Sequence, residues 1–168
     1  MFKKNLGKQL KLQAKDLGAC EQGLENLEAL NKQELINRFI HYINFSMKNN
    51  FPSNDFIKKN FDSELLHRNN IYVDDFIERR NARTVVVIQG NSKGQLMYDG
   101  MTVAEIYVRH NSELTIDCSK FSKVFINIYD NSKVKVIQHD TASVYVYKHG
   151  DSCSVITEGD VMERNCKK

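Results

Sequence analysis

Histidines beside aspartates are the side chains of this chain that come nearest to a catalytic pattern. His139 precedes Asp140, and His149 lies two residues before Asp151. An imidazole next to a carboxylate can act as a general acid or base, or can bind a metal ion, if the fold brings such pairs together. However, both pairs lie at the ends of repeated blocks, where polar corners are expected anyway, and His110 occupies an equivalent place. We therefore predict a non-enzymatic protein with no catalytic residue, no metal and no cofactor.

Other reactive patterns are missing from the sequence. It contains no phosphate-binding glycine loop, no Gly-x-Ser-x-Gly elbow and no His-Glu-x-x-His zinc helix. Cys118 continues the inward alternation of Leu114 and Ile116, which predicts a reduced thiol in a core. The cysteines are too widely spaced for a structural zinc site: Cys20, Cys118, Cys153 and Cys166.

The elements that position these residues form a tandem repeat of ten residues between Met101 and Asp160. The second place of each block holds a small residue, and the fourth and sixth places are apolar. Residues 91–100 fit the pattern more weakly, and the last block is shifted by one. Alternation of apolar and polar residues indicates short strands with one buried face. The blocks read MTVAEIYVRH, NSELTIDCSK, FSKVFINIYD, NSKVKVIQHD, TASVYVYKHG and DSCSVITEGD.

Two architectures are compatible with this repeat. In a β-solenoid, two blocks form one coil of about twenty residues, and equivalent positions stack from coil to coil. An antiparallel meander needs only alternation and turns, without a fixed repeat length. The recurrence of Asn-Ser or a substitute at block starts favours stacked corners. We therefore predict an α+β protein, in which a helical N-terminal domain precedes a short β-solenoid with about two ten-residue repeats per coil.

The predicted solenoid has two unlike walls, because alternate blocks lie on the same side of a two-block coil. Contiguous exposed rings usually mark an interface. The N-terminal helices, a second copy of the chain or a foreign partner would cover them. We call the first side the aromatic wall, and its rings are Tyr107, Phe125, Tyr129, Tyr145 and Tyr147, accompanied by Glu105, Arg109 and Asn127. The polar wall carries Glu113, Thr115, Asp117, Lys133, Lys135 and Ser154, with Ile137 as an apolar exception.

The first half of the chain is predicted to be helical. An apolar stripe predicts one amphipathic helix over residues 32–48, and Asn31 with Glu34 predicts its N-terminal cap. An earlier helix, from residue 2 to about 17, has a basic side that is either solvated or contacts an acidic partner or a nucleic-acid backbone. Its lysines include Lys4, Lys8, Lys11 and Lys15. The predicted domains are residues 1–80 (helical), residues 81–163 (solenoid) and residues 164–168 (C-terminal tail).

Composition restricts the classes of function. A net charge of +3 over 168 residues argues against binding driven by phosphate neutralisation. No apolar run approaches the roughly 20 residues that span a bilayer. The N-terminal segment also lacks the continuous apolar stretch of a signal peptide. These features predict a cytoplasmic protein that does not interact with a membrane.

Several segments of the chain resemble uncharacterised accessory proteins of phages and integrated elements of Bacteroidetes-type bacteria. These segments are KDLGACEQGLENL, IHYINFSMKNNFPSNDFIKKNF, IYVDDF and the Asn-Ser-x-Val-x-Val blocks. The tryptophan that such motifs often carry after the position of Leu24 is missing here. The resemblance implies an accessory protein of a mobile genome that acts in a bacterial host cell, and it assigns no catalytic residue.

The resulting hypothesis is a non-enzymatic protein that binds a host protein or protein–RNA complex. Inhibition of an antiviral, CRISPR-like defence nuclease is one form of that activity. The predicted contacts are the aromatic wall, with Arg109, and the basic side of the first helix. Two alternatives stay open: a structural or virion-assembly protein that oligomerises through the solenoid, and a single-stranded nucleic-acid binder that stacks bases on the tyrosines.

Overall fold

Helices occupy the first part of the chain, as the apolar spacing predicts. The computed structural model describes residues 5–166, and the chain divides between Leu65 and Leu66 into two compact units. The helices are α1 (Leu6–Asp16), α2 (Glu21–Leu24), α3 (Lys32–His41), α4 (Ile43–Asn49), α5 (Asn54–Asn60) and α6 (Ser63–Arg68), with a 3-10 turn at Leu27–Ala29.

The start of α3 follows directly from two side chains. The backbone N–H of Glu34 donates to Asn31 Oδ1 at 3.0 Å, and the N–H of Asn31 donates to Glu34 Oε2 at 2.7 Å. This reciprocal capping box satisfies two N–H groups that a helix terminus leaves without partners. The predicted N-terminal cap is therefore confirmed.

The prediction of one continuous helix over residues 32–48 is wrong. The helix is interrupted at Tyr42, whose φ of −106° and ψ of 32° lie outside helical geometry. The Tyr42 N–H donates to the carbonyls of both Arg38 and Ile40, which tightens the last turn of α3. The apolar stripe nevertheless continues across the interruption, since Ile43 and Met47 are both buried in α4.

The second unit is built from eleven short strands within the described residues. These strands are β1 (Ile71–Val73), β2 (Phe76–Arg80), β3 (Thr84–Gln89), β4 (Lys93–Tyr98), β5 (Val103–Val108), β6 (Glu113–Cys118), β7 (Lys123–Ile128), β8 (Lys133–Gln138), β9 (Ser143–Lys148), β10 (Ser154–Glu158) and β11 (Val161–Asn165).

Consecutive strands alternate between two parallel sheets. Sheet A has the order β1-β3-β5-β7-β9-β11, and sheet B has the order β10-β8-β6-β4-β2. Each strand pairs with the strand two places along the chain, so that Val103 pairs with Lys123 and Glu113 pairs with Lys133. Residues twenty apart therefore stack, and the predicted β-solenoid with two repeats per coil is confirmed.

The core lies between the two sheets. The fourth and sixth places of the blocks point inward, and Ile106, Ile116, Ile126 and Val136 are each 0 % exposed. Parallel strands buried in this way favour β-branched side chains, which pack well on a pleated surface. Cys118 is also fully buried, and burial raises the pKa of its thiol to about 12, as expected for the predicted core thiol.

The strands extend beyond the limits that the sequence suggested. β1 and β2 precede residue 81, yet they pair in parallel with β3 and β4 and so form part of the same two sheets. At the other end, β11 continues to Asn165, into the residues predicted to be a tail. Within residues 5–166, no helix is both long and apolar enough to cross a membrane.

Candidate functional site

The register of sheet A places the rings of the aromatic wall in columns. One column contains Phe125 and Tyr145, which pair directly in β7 and β9. A second column runs through Tyr107, Asn127 and Tyr147. Each column therefore repeats one place of the ten-residue block at intervals of one coil, which brings together side chains that are distant in sequence.

Phe125 and Tyr145 stack on each other along their column. Their ring centroids are 5.1 Å apart, and the ring planes differ by 15°. The ammonium group of Lys123 lies 5.5 Å from the Phe125 centroid and 5.9 Å from the Tyr145 centroid. An aromatic pair adds about 0.5–1.5 kcal/mol beyond its buried area, so this stack also stabilises the coil.

A second stack joins Arg109, Tyr129 and His149. The Tyr129 and His149 rings are 4.3 Å apart and nearly parallel, at 5°. On the other side, the Arg109 guanidinium lies 5.8 Å from the Tyr129 centroid, and its Nε donates to Asp130 Oδ2 at 2.7 Å. Burial raises the pKa of Tyr129 to about 12. Burial also lowers the pKa of His149, which favours its neutral form in the stack.

These stacks determine what the aromatic wall can offer to a ligand. Stacked neighbours cover at least one face of each of the Phe125, Tyr129 and Tyr145 rings, which reduces the ring area that is open to a ligand. Those three rings and Tyr147 are half-buried. The resulting surface is partly apolar and is bordered by Lys123, and aromatic side chains such as these are enriched at protein interfaces.

Two of the predicted contact residues are instead buried. Tyr107 is 1 % exposed, and its hydroxyl donates to Glu105 Oε1 at 2.6 Å. Burial raises the pKa of Tyr107, so the phenol stays protonated. Arg109 is 8 % exposed and is held by Asp130. Neither side chain is therefore open to a ligand in this structure.

The predicted basic surface of the first helix is only partly available. Lys4 lies outside the described residues. Lys8 and Lys15 are exposed on α1, whereas Lys11 forms an ion pair with Glu28 at 3.1 Å. Among the described residues, Lys8 and Lys15 therefore remain as the exposed part of the predicted basic surface.

The histidines contact the preceding coil instead of their sequence neighbours. His139 Nε2 lies 3.3 Å from Asp117 Oδ1, and His149 Nε2 lies 3.1 Å from Asn127 Oδ1. His110 Nδ1 accepts a hydrogen bond from the Gly90 N–H at 3.1 Å, as a neutral imidazole. Each contact ties a corner histidine to the preceding coil. Among the described residues, no group of three or more histidine, cysteine, aspartate or glutamate side chains could hold a metal ion.

Sequence reasoning missed several members of this surface. The sequence suggests His149 as a partner of Asp151 or a corner residue, but it shares the ninth place of its block with Arg109 and Tyr129, and this spacing is the signal for the stack. Lys123 also went unnoticed among the other lysines. A further pair, His67 and Asp75, is 2.5 Å apart with His67 stacked on Tyr72, and nothing in the sequence pattern predicts it.

No protein-family model, curated protein or solved structure matches the chain.

Proposed function

We propose that this chain is a non-enzymatic accessory protein of a phage or mobile element that binds a host protein or protein–RNA complex through the aromatic wall. Inhibition of a host antiviral nuclease by occupying its surface is one form of this activity. The proposal combines the sequence resemblance with a surface suited to protein contact. In this proposal the named residues bind a partner and do not catalyse a reaction.

One observation carries the proposal: the rings of the aromatic wall are held in place by stacked neighbours. Phe125, Tyr129 and Tyr145 each have a ring or cation stacked on them. Such rings lose little side-chain entropy on binding, because their neighbours already restrict their rotamers. Rigid aromatic side chains at a protein surface are common energetic centres of protein interfaces.

Affinity capture from the host tests this proposal. The double variant Tyr145→Ser/Tyr147→Ser should lose the captured partner, because it removes two of the half-buried rings of the wall. The double variant Lys133→Ser/Lys135→Ser changes two exposed residues of the polar wall and serves as the matched control. Capture of one protein by the native chain and the control, but not by the tyrosine variant, supports the proposal. Equal capture by all three chains would contradict it.

The ring stacks favour protein over single-stranded nucleic acid as the ligand. Base stacking requires an open ring face, and Phe125 and Tyr145 use a face on each other. Retention of the native chain on polythymidylate at about 150 mM salt, within the range where phosphate contacts still support binding, would reverse this preference.

Assembly through the solenoid ends is a second candidate, because one strand at each end has a charged residue at an inward place and these two residues have opposite charges. Arg79 pairs in register with the inward Leu96 in the first coil, and Glu163 pairs with the inward Val146 in the last coil. Joining such ends in a head-to-tail manner would produce an open-ended filament. Concentration-dependent growth in sedimentation velocity that Glu163→Arg abolishes supports assembly, whereas a stable monomer or dimer removes this candidate.

A further inference from the structure

One edge of the solenoid exposes apolar side chains at its corners. Met101 is 87 % exposed, Phe121 is 70 % exposed and Val103 is 62 % exposed. Met101 and Phe121 occupy the first place of blocks that are twenty residues apart, directly before strands β5 and β7, which pair with each other. These three residues, here called the apolar edge, therefore lie on adjacent coils.

The fold itself does not require apolar residues at these corners. The first place of the alternate blocks, on the opposite edge, is occupied by Asn91, Asn111 and Asn131. The side-chain amide of Asn111 donates to Asn91 Oδ1 at 3.3 Å, and that of Asn131 donates to Asn111 Oδ1 at 3.4 Å. An asparagine therefore suits this corner geometry and links one coil to the next. Large apolar side chains exposed at the same place indicate a binding role.

Basic side chains accompany the apolar edge. Lys120 precedes Phe121, Lys123 pairs in register with Val103, and both lysines are exposed. Arg83 is exposed in the coil before them. The carboxylate of Asp99 is engaged by Arg80 and Asn81. Exposed Asp140 belongs to the next coil along this edge. The coils that carry Met101 and Phe121 are thus apolar with a positive border.

The apolar edge is continuous with the aromatic wall. Lys123 borders both, since its neighbour in register is Val103 and its ammonium group lies over the Phe125 and Tyr145 rings. A ligand held on the wall would therefore meet this edge without a gap.

We infer that the apolar edge is a docking site for an acidic protein segment, which places apolar side chains on Met101 and Phe121 and carboxylates near Lys120 and Lys123. The inference rests on the proposed function and names the chemistry of the partner. Charge selects this occupant over a second copy, because two copies joined by a two-fold axis at this edge would bring lysine against lysine. Exposed methionine and phenylalanine side chains likewise favour a protein over a phosphate backbone.

Selection from a displayed library of short random peptides against the full chain tests the inference. The selected peptides are then tested for binding to the double variant Met101→Asn/Phe121→Asn. Asparagine is the residue that the opposite edge uses, so this variant should fold normally and keep the thermal midpoint of the native chain. The selected peptides should combine apolar residues with aspartate or glutamate. Their affinity should fall by at least about tenfold in the double variant, the loss typical of an interface hot spot.

Charge reversal provides a second measurement. The double variant Lys120→Glu/Lys123→Glu should bind the acidic peptides more weakly. It should instead bind versions of these peptides in which lysine replaces the acidic residues. Asn111→Ala on the opposite edge is the matched control, and it should leave affinity unchanged.

Several results would overturn the inference: no enriched peptides, enriched peptides without an acidic excess, or equal binding to the Met101→Asn/Phe121→Asn variant. Retention on polythymidylate that this variant abolishes would assign the edge to nucleic acid. Self-association that the variant abolishes would assign it to a second copy. Because the selection uses no host protein, its failure is distinguishable from failure of the host-capture experiment with the Tyr145→Ser/Tyr147→Ser variant.

Discussion

The serine at the second place of a repeat block closes the corner before each strand. The hydroxyl of Ser92 donates to the Gln89 carbonyl at 2.7 Å, and that of Ser112 donates to the Arg109 carbonyl at 2.9 Å. In the shifted last block, the Cys153 thiol takes over this contact with the Gly150 carbonyl at 3.1 Å. A side chain at this place is small because it is buried, and where it is serine its hydroxyl also gives a turn carbonyl a donor; Ala142 shows that the small size alone is sufficient.

We predict that Ser112→Ala lowers the free energy of unfolding by about 1 kcal/mol, the typical net contribution of one hydrogen bond. Ser112→Val should cost more, because the two added methyl groups must fit into a site that is 0 % exposed. Urea denaturation measures both, and Ser154→Ala at an exposed position is the control. A neutral Ser112→Val variant would contradict the role assigned to the small second-place residue.

Acidification should destabilise the solenoid through His110. Burial lowers the pKa of His110 in the folded chain, and its Nδ1 accepts the Gly90 N–H only when that nitrogen is unprotonated. Because the unfolded chain binds the proton more readily, stability is complete above a pH of about 6.5 and falls as the pH drops towards the folded-state pKa.

The variant His110→Asn should reduce this loss, since an amide oxygen can accept the same hydrogen bond without titrating. The backbone also allows the change, because His110 has a φ of 62° and asparagine tolerates that region. Urea unfolding of both chains across mildly acidic pH measures the effect. An unaltered pH dependence in His110→Asn would contradict it.

At this scale the sequence predicts which side chains are small or apolar, but not why the corners turn. The residue at the tenth place of a block has a left-handed backbone conformation at four corners, with φ between 52° and 62°: His110, Lys120, Asp130 and Asp140. None of these four residues is glycine, the residue type that announces such a conformation, and Gly150 at the same place has a φ of 159° instead. The four corners therefore share a backbone conformation that their residue types do not predict.

The coil is the element on which both stability and the candidate surface depend. Each coil buries its inward side chains against its neighbours, and each stack of the aromatic wall joins residues from neighbouring coils. In such an arrangement, stability is approximately a sum of contributions from the coils and from the interfaces between them. A central coil has two such interfaces, and a terminal coil has one.

The same substitution should therefore cost more in a central coil than in the last one. Val124 is 0 % exposed between two neighbouring strands, whereas Val155 is only partly buried and pairs with β8 alone. We predict that Val124→Ala lowers the free energy of unfolding by about 2 kcal/mol or more, and Val155→Ala by less than half of that. Equal losses of unfolding free energy in urea denaturation would contradict the view that stability is a sum of contributions from the coils and their interfaces.

Periodicity predicts these elements well where one repeat governs them. The ten-residue pattern leads to the two parallel sheets and to the aromatic wall. It fails where tertiary contacts decide: the helix break at Tyr42 and the early strands β1 and β2 leave no mark in the spacing of apolar residues. β1 has only three residues, too few for an alternation to be read.

At the scale of the whole molecule, function depends on how the solenoid distributes side chains over its surfaces. Sheet A carries the aromatic wall, sheet B carries ion pairs such as Lys133 with Glu113, and one edge carries Met101 and Phe121. The two-block coil and the polarity of each wall follow from the sequence. The ring stacking and the exposure of the edge depend on side-chain packing, which a linear pattern does not contain.

Photo-crosslinking in the host cell tests the central claim most directly, because it reports which wall contacts the partner. A photoreactive phenylalanine analogue would replace Tyr147 on the aromatic wall and, in a separate chain, Lys135 on the polar wall. We predict that the first chain forms a crosslink to one host protein and that the second forms none. Crosslinks from position 135 alone, or from neither position, would contradict the assignment of binding to the aromatic wall.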